Sequence, residues 1–218
     1  MFIRYMTIWT LPMLMILNIV TAQPQRYEEK ADDILTETRK VLQAHEALRM
    51  DFSYSFTHEQ RDENDQMEGF ILTKNDKYYF KQGMHHFISD GITVWSFLEE
   101  VNEVHISYAE DTEEAISPAS ILDNFREEYR STWIRQESTG QDPVHIIDLV
   151  PHQPQTFYKF RVAVCDATKH IVYTEAHDRQ GGIYRYDIEK IDTSPEIPEN
   201  KFTFQVEDYP DIEVVDMR

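Results

Sequence analysis

A single cysteine, Cys165, stands in a chain of 218 residues. An intramolecular disulfide is excluded, and so is a cysteine-rich metal centre. Basic residues are scarce too: Lys and Arg number 21 against 40 Asp and Glu, a formal net charge of -19. Nucleic-acid affinity rests on basic residues meeting phosphates, so that class of function is excluded. Docking on anionic lipid, which attracts polybasic segments, is disfavoured for the same reason. Also missing are a Gly-x-Ser-x-Gly elbow, a P-loop, a Gly-x-Gly-x-x-Gly fingerprint and a His-Glu-x-x-His pattern.

What chemistry remains is thin. Nine histidines are present, but His85 and His86 are adjacent, so on a strand their rings point to opposite faces. Cys165 ends an apolar run, Val162-Ala163-Val164, and reads as a buried structural thiol. The pairs Glu99-Glu100 and Glu113-Glu114 sit in or beside loops and read as solvated charge. No metal, no cofactor and no catalytic residue is expected. The balance favours binding over catalysis.

The positive features begin at the N-terminus. Arg4 precedes an almost uncharged apolar stretch from Met6 to Val20, and Val20-Thr21-Ala22 supplies small residues for cleavage before Gln23. This is the pattern of a secretory signal peptide over 1–22. Pro12 and the short length argue against a spanning anchor. The remainder, 23–218, is expected to be one exported, soluble domain. Hydrophobic residues at 41% and charged residues at 28% suit a folded globule.

Residues 28–46 carry Ile34, Leu35, Val41 and Leu42 at helical spacing, with acids early and Lys40 late. The period then becomes two: Met50, Phe52, Tyr54 and Phe56 alternate with polar residues. A polar hairpin loop is expected at 58–65. Strands follow at 66–74, 77–82, 84–90, 93–98 and 102–108, joined at Asn75-Asp76, Gly83 and Asp90-Gly91. Ser117 and Pro118 open a second helix, 117–130, whose apolar stripe is Ile121, Leu122 and Phe125. Strands resume at 131–138, 143–150, 156–166, 169–177 and 181–190. A short Phe202-Thr203-Phe204 segment precedes an acidic tail. The expectation is a mainly β, α+β fold: about eleven strands, each beside the last, in one curled antiparallel sheet with the helices inside it. The aromatic inventory, 12 Tyr and 12 Phe, suits a core or the wall of a ligand cavity equally well.

Several segments together resemble the periplasmic outer-membrane lipoprotein carrier family (LolA-like). They are the opening helix running into Asp51-Phe52-Ser53-Tyr54-Ser55-Phe56; Gly69 to Lys74 followed by Tyr78-Tyr79-Phe80; and Ile88-Ser89-Asp90-Gly91-Ile92-Thr93-Val94-Trp95, which matches an "SDG-x-T-x-W" hairpin. Ser117 to Leu122, Ile147-Asp148-Leu149-Val150-Pro151 and Asn200-Lys201-Phe202-Thr203-Phe204 follow in the family's order. The resemblance implies an incomplete, unclosed antiparallel β-barrel whose helices cover an apolar cavity. It implies a periplasmic carrier in a Gram-negative bacterium, binding acylated lipoproteins. An inner-membrane ABC-type release complex would load it, an outer-membrane acceptor of open identity would receive the cargo, and the carrier itself would be a monomer.

On that resemblance Phe52, Tyr54, Phe56, Trp95 and Phe97 are candidates for the lipid-binding cavity wall, and Leu35, Leu42, Ile121, Leu122 and Phe125 for the lid. One departure stands out. Members of the family carry Arg-Pro after the lysine matching Lys74, and that Arg latches the lid; here the positions are Asn75 and Asp76. Two alternatives stay open: a lipoprotein-sensing interaction module of an envelope-stress pathway on the same fold, and a secreted hydrolase or lyase.

Overall fold

The computed structural model describes residues 22–58, 60–111, 120–139 and 142–218. The signal segment and the Ser117-Pro118 helix start lie outside the described residues, apart from Ala22. The helix α1 (Ala22–Gln43) leads into β1 (Ala47–His58), β2 (Arg61–Lys74), β3 (Lys77–Gln82), β4 (His85–Ser89), β5 (Thr93–Leu98) and β6 (Glu103–Tyr108). Short 3₁₀ turns at Ala109–Asp111 and Ser120–Leu122 and a one-turn helix α2 (Phe125–Glu128) cross to the second half. There β7 (Tyr129–Thr139), β8 (Asp142–Pro151), β9 (Phe157–Cys165), β10 (Ile171–Asp178) and β11 (Gly182–Asp192) follow. The chain closes with 3₁₀ turns at Glu199–Phe202 and Val206–Asp208 and with β12 (Glu213–Asp216).

All twelve strands belong to one sheet, in the order β12-β6-β5-β4-β3-β2-β1-β11-β10-β9-β8-β7. The sheet is an unclosed barrel: β12 and β7 are its two free edges. It consists of two meanders joined where β1 pairs antiparallel with β11. The expected single meander is corrected at that point, since β6 and β7 lie far apart in the sheet. The acidic tail contributes a strand after all, with β12 pairing parallel to β6. Residues 58–65 are not a loop. The β1–β2 pairing continues through Phe56 opposite Asp65 and Thr57 opposite Asn64, so the hairpin turns only at its tip.

The second helix is shorter than its sequence suggests. Tyr129 already has extended backbone (φ -132, ψ 147), because it opens β7 opposite Pro151.

Alternation sorts the side chains onto two faces. On the concave face, Ala31, Ile34 and Leu35 of α1 pack against Ile147, Leu149, Phe160, Val162 and Val164 of β8 and β9. Met50, Phe52, Tyr54, Ile71 and Phe80 form a second concave cluster. The convex face differs between the halves. Across β2 to β6 it is apolar and lies under the C-terminal segment, through Phe202, Phe204 and Tyr209. Across β8 to β11 it carries paired charges: Arg161 grips Asp148 through two bonds of 2.7 and 3.0 Å, and Arg185 holds Glu175 at 2.7 Å.

Candidate functional site

A cavity of about 870 Å³ opens on the concave side, between the end of α1, the β2–β3 turn, the β4–β5 turn and the Ser120–Leu122 crossover. That volume lies in the range of small-ligand sites, roughly 300–1,000 Å³. Its floor is apolar: Leu48 and Met50 from β1, Ile71 from β2, Phe80 from β3, Val94 from β5. Leu42 and Leu122 form its roof. Polar groups gather on the wall and rim, among them Arg39, His45, Glu46, Asn75, Asp76 and Asp123. An apolar floor under a polar rim suits an amphiphile whose tail is buried and whose head stays near water.

The candidate wall residues divide into two groups. Phe52, Tyr54 and Phe56 share the concave face with Met50, but they are packed among themselves and their neighbours rather than lining the open space. Phe52 stacks on Phe80 with centroids 5.5 Å apart and meets Tyr186 edge-on at 5.2 Å. Tyr54 leans on Tyr186 at 5.2 Å, and Phe56 on Tyr184 at 5.0 Å. Burial raises the Tyr186 hydroxyl's pKa above its ordinary range, and that hydroxyl donates to Gln82 Oε1 at 3.0 Å. This end of the concave face is filled by the protein's own rings.

Trp95 and Phe97 are on the other side of the sheet and do not line the cavity. Phe97 packs against Tyr209 at 4.6 Å and Phe204 at 5.1 Å, under the C-terminal segment. Trp95 belongs to the same convex cluster. The physical reason is that β5 is buried on both faces, with Val94 toward the cavity and Trp95 and Phe97 away from it. An apolar strand of this kind carries no signal of which face is inward.

The five candidate lid residues do come together. Leu35, Ile121, Leu122 and Phe125 are buried in one cluster, and Leu42 packs against it. Of these, Leu42 and Leu122 face the cavity directly. Polar bonds tie the two cover elements to each other and to the sheet. Arg126 donates to Thr36 Oγ1 at 2.9 Å and pairs with Asp32 at 3.7 Å. Ser131 of β7 also donates to Asp32. Trp133 of β7 stacks with Tyr27 at 5.8 Å and carries the Lys30 ammonium 3.5 Å over its ring.

Met50, Leu48, Ile71, Phe80 and Val94 line the cavity without having been singled out as wall residues. Met50 had a usable signal, since it precedes Phe52, Tyr54 and Phe56 in the same alternating series. Asn75 and Asp76, where the resembled family carries Arg-Pro, sit at the cavity rim. Asn75 takes φ +52 at the tight β2–β3 turn, a conformation asparagine tolerates.

Cys165 is half-buried at the end of β9 rather than deep in the core. Among the described residues no group of three His, Cys, Asp or Glu side chains is placed to hold a metal ion. None of the described helices is long and apolar enough to cross a membrane.

The family model described as outer membrane lipoprotein carrier protein LolA matches residues 43–205, well over half of the chain. Most of α1 and all of β12 lie outside the matched stretch. No curated protein matches the sequence. Among solved structures, an uncharacterized conserved protein from Thermus thermophilus aligns over 86% of this chain and 99% of its own, with a TM-score of 0.60 at 11% identity. A LolA superfamily protein from Nitrosomonas europaea aligns over 80% of this chain and 97% of its own, with a TM-score of 0.43 at 12% identity. The Mycobacterium tuberculosis lipoprotein LppX aligns over 77% of this chain and 99% of its own, with a TM-score of 0.43 at 12% identity. The first likeness establishes a shared fold; the other two are too distant to carry an argument.

Proposed function

The chain belongs to the LolA family of outer membrane lipoprotein carrier proteins, and on that premise we propose that it is a periplasmic carrier that shields the acyl chains of lipoproteins in transit. Residues 1–22 would direct its export and be removed. The observation that carries the proposal is the cavity with an apolar floor under a helical cover. Each acyl methylene left in water costs roughly 0.8 kcal/mol. A lipoprotein's chains therefore cannot cross an aqueous space unshielded, and a carrier must hide them yet let them go. An apolar floor supplies burial without directional bonds. The cover is held partly by exposed polar contacts, of which ion pairs of this kind are worth about 0–1 kcal/mol each.

A methylene fills about the volume of one water molecule in the liquid, ~30 Å³. The present cavity, about 870 Å³, then takes roughly thirty methylenes, about two long chains. The test is uptake: membranes holding an acylated lipoprotein and a competent release complex are incubated with the purified protein and ATP. Lipoprotein in the soluble fraction, bound to this chain, is the expected result. Lipoprotein that stays in the membrane at every carrier concentration overturns the proposal.

A further inference from the structure

Tyr27 and Lys30, three residues apart on α1, meet the sheet at Trp133 of β7. Tyr27 stacks on the indole with centroids 5.8 Å apart, and the Lys30 ammonium stands 3.5 Å over it. The indole is held in turn by β8, where Trp133 Nε1 donates to His145 Nδ1 at 3.2 Å. His145 is buried, 6% exposed, and its Nε2 lies 3.2 Å from Asp166 Oδ1. Lys169 donates to the same carboxylate oxygen at 2.7 Å.

These contacts fix where the imidazole proton sits. An indole N–H can only donate, and a neutral imidazole has one donor and one acceptor nitrogen. Nδ1 is therefore the acceptor, and the single proton is on Nε2, toward Asp166. A second proton can only go to Nδ1. There it sets two donors face to face across 3.2 Å, in a site where a buried donor left unbonded is costly.

We infer that the Trp133–His145 bond is a proton-released clasp on the first turns of α1: uptake of a proton at Nδ1 breaks the bond and frees that end of the cover. This goes beyond the carrier reading and does not depend on any cargo.

The charges around His145 decide which partner lets go. Asp166 faces Nε2 from the β9–β10 turn and attracts an imidazolium, and Lys169 on the same turn partly offsets it. Hydrogen bonds from Lys169 and His145 hold the Asp166 carboxyl below the usual carboxylate range, so the attraction persists in mild acid. Gln136 of β7 and Val164 of β9 pair with His145 and carry no charge. From α1, the Lys30 ammonium on the far side of the indole repels an imidazolium. The imidazolium therefore stays with Asp166, and the indole leaves. The backbone favours the same outcome. β8 is an interior strand with Ile146 and Ile147 fully buried, whereas β7 is a free edge with an irregular register beside Trp133. Imidazole is the side chain whose charge ordinarily changes between about pH 5 and pH 8, and the clasp opens in the acid direction.

The test follows the indole N–H signals of the purified protein by NMR from about pH 8 to about pH 5. Amide hydrogen exchange in the first turns of α1 is read over the same range and corrected for its intrinsic pH dependence. Trp133→Phe keeps a ring under Tyr27 but has no N–H, and it assigns the Trp133 signal. His145→Asn keeps an acceptor near the place of Nδ1 but takes no proton. In the wild type the Trp133 signal should move upfield and exchange faster with water in acid, while the Trp95 signal stays in place. Exchange in the first turns of α1 should rise about tenfold, the size of one lost hydrogen bond. His145→Asn should show neither change, and Trp133→Phe should exchange fast at both ends of the range. Circular dichroism melts establish that each variant is folded.

A Trp133 signal that does not move over this range overturns the inference. Acid-quickened exchange that persists in His145→Asn does the same, because the titrating group is then elsewhere. A Trp133 signal that moves while α1 exchanges at a constant rate also overturns it, since the bond then has no hold on the helix. So does Trp133→Phe exchanging as slowly as the wild type at the alkaline end.

Discussion

Gly69 lies directly across β1–β2 from Phe52. A Cβ at this glycine would stand 2.6 Å from the Phe52 ring and closer still to the Lys81 carbonyl oxygen. The glycine is what lets the ring lie flat against the sheet and reach Phe80. Gly69→Ala should therefore cost about 1–3 kcal/mol by overpacking, and Phe52→Ala about 3–5 kcal/mol by opening a void. Urea unfolding of the two variants measures both. Two titrating groups act in one direction. Burial lowers the His86 pKa below the ordinary imidazole value, against the opposing hydrogen bond that its Nε2 donates to Glu99. Burial pushes the Glu175 carboxyl up, but hydrogen bonds from His177 and Arg185 outweigh it and bring it down to about 2. In both cases the unfolded chain binds protons first, so stability falls as pH falls. His86 contributes to that loss from about pH 6.5 downward and Glu175 from about pH 4.5 down to about 2. Thermal melts from pH 8 to pH 3 should show a continuous decline. Glu175→Gln should be less stable at pH 7 and show a shallower decline in acid. At this scale the concave run Met50-Phe52-Tyr54-Phe56 was legible, because polar residues alternate with it. Trp95 and Phe97 were legible as sharing a face, but not as facing outward, because β5 has no polar side.

The helix α1 and the crossover at 120–128 cover one half of the concave sheet, and Arg126 is their polar link. More than half of the Arg126 side chain is exposed (55%), so its bonds to Thr36 and Asp32 should be worth little to global stability. Arg126→Ala is expected to lower stability by no more than about 1 kcal/mol. It should nonetheless speed amide hydrogen exchange across α1, with exchange in β8 and β9 unchanged. Equal acceleration in the strands would show that the cover does not open independently of the sheet. The amphipathic helix was readable from Ile34, Leu35 and Leu42. The β1–β2 arm was not, because His58 to Asp65 is almost wholly polar; its pairing is main-chain, with little apolar signature. The strand β12 escaped for a related reason. Four residues, Glu213-Val214-Val215-Asp216, pair with β6 at the edge while burying almost nothing, so their strand character comes from the partner rather than from their own pattern. Tyr129 and Arg130 read as the end of a helix until the register of β7 against β8 claims them.

An unclosed sheet keeps one concave surface accessible, which a closed barrel of the same size would seal or fill. The two halves use it differently: β8 to β10 are packed solid by α1, and β1 to β5 leave open the space that Leu42 and Leu122 roof. That asymmetry could not be read from strand count, since it depends on β1 pairing with β11 across the whole length of the chain. The unclosed barrel itself was legible in the motif series. The central claim is that the open space holds acyl chains. Native mass spectrometry of the protein, expressed behind a periplasmic export signal and purified without detergent, tests it most directly. The account predicts a co-purifying acylated mass that is absent from Val94→Trp, whose indole would occupy the cavity floor, with circular-dichroism melts establishing that the variant is folded. A wild-type protein that carries no acylated mass, even after incubation with loaded membranes and the release complex, would contradict it.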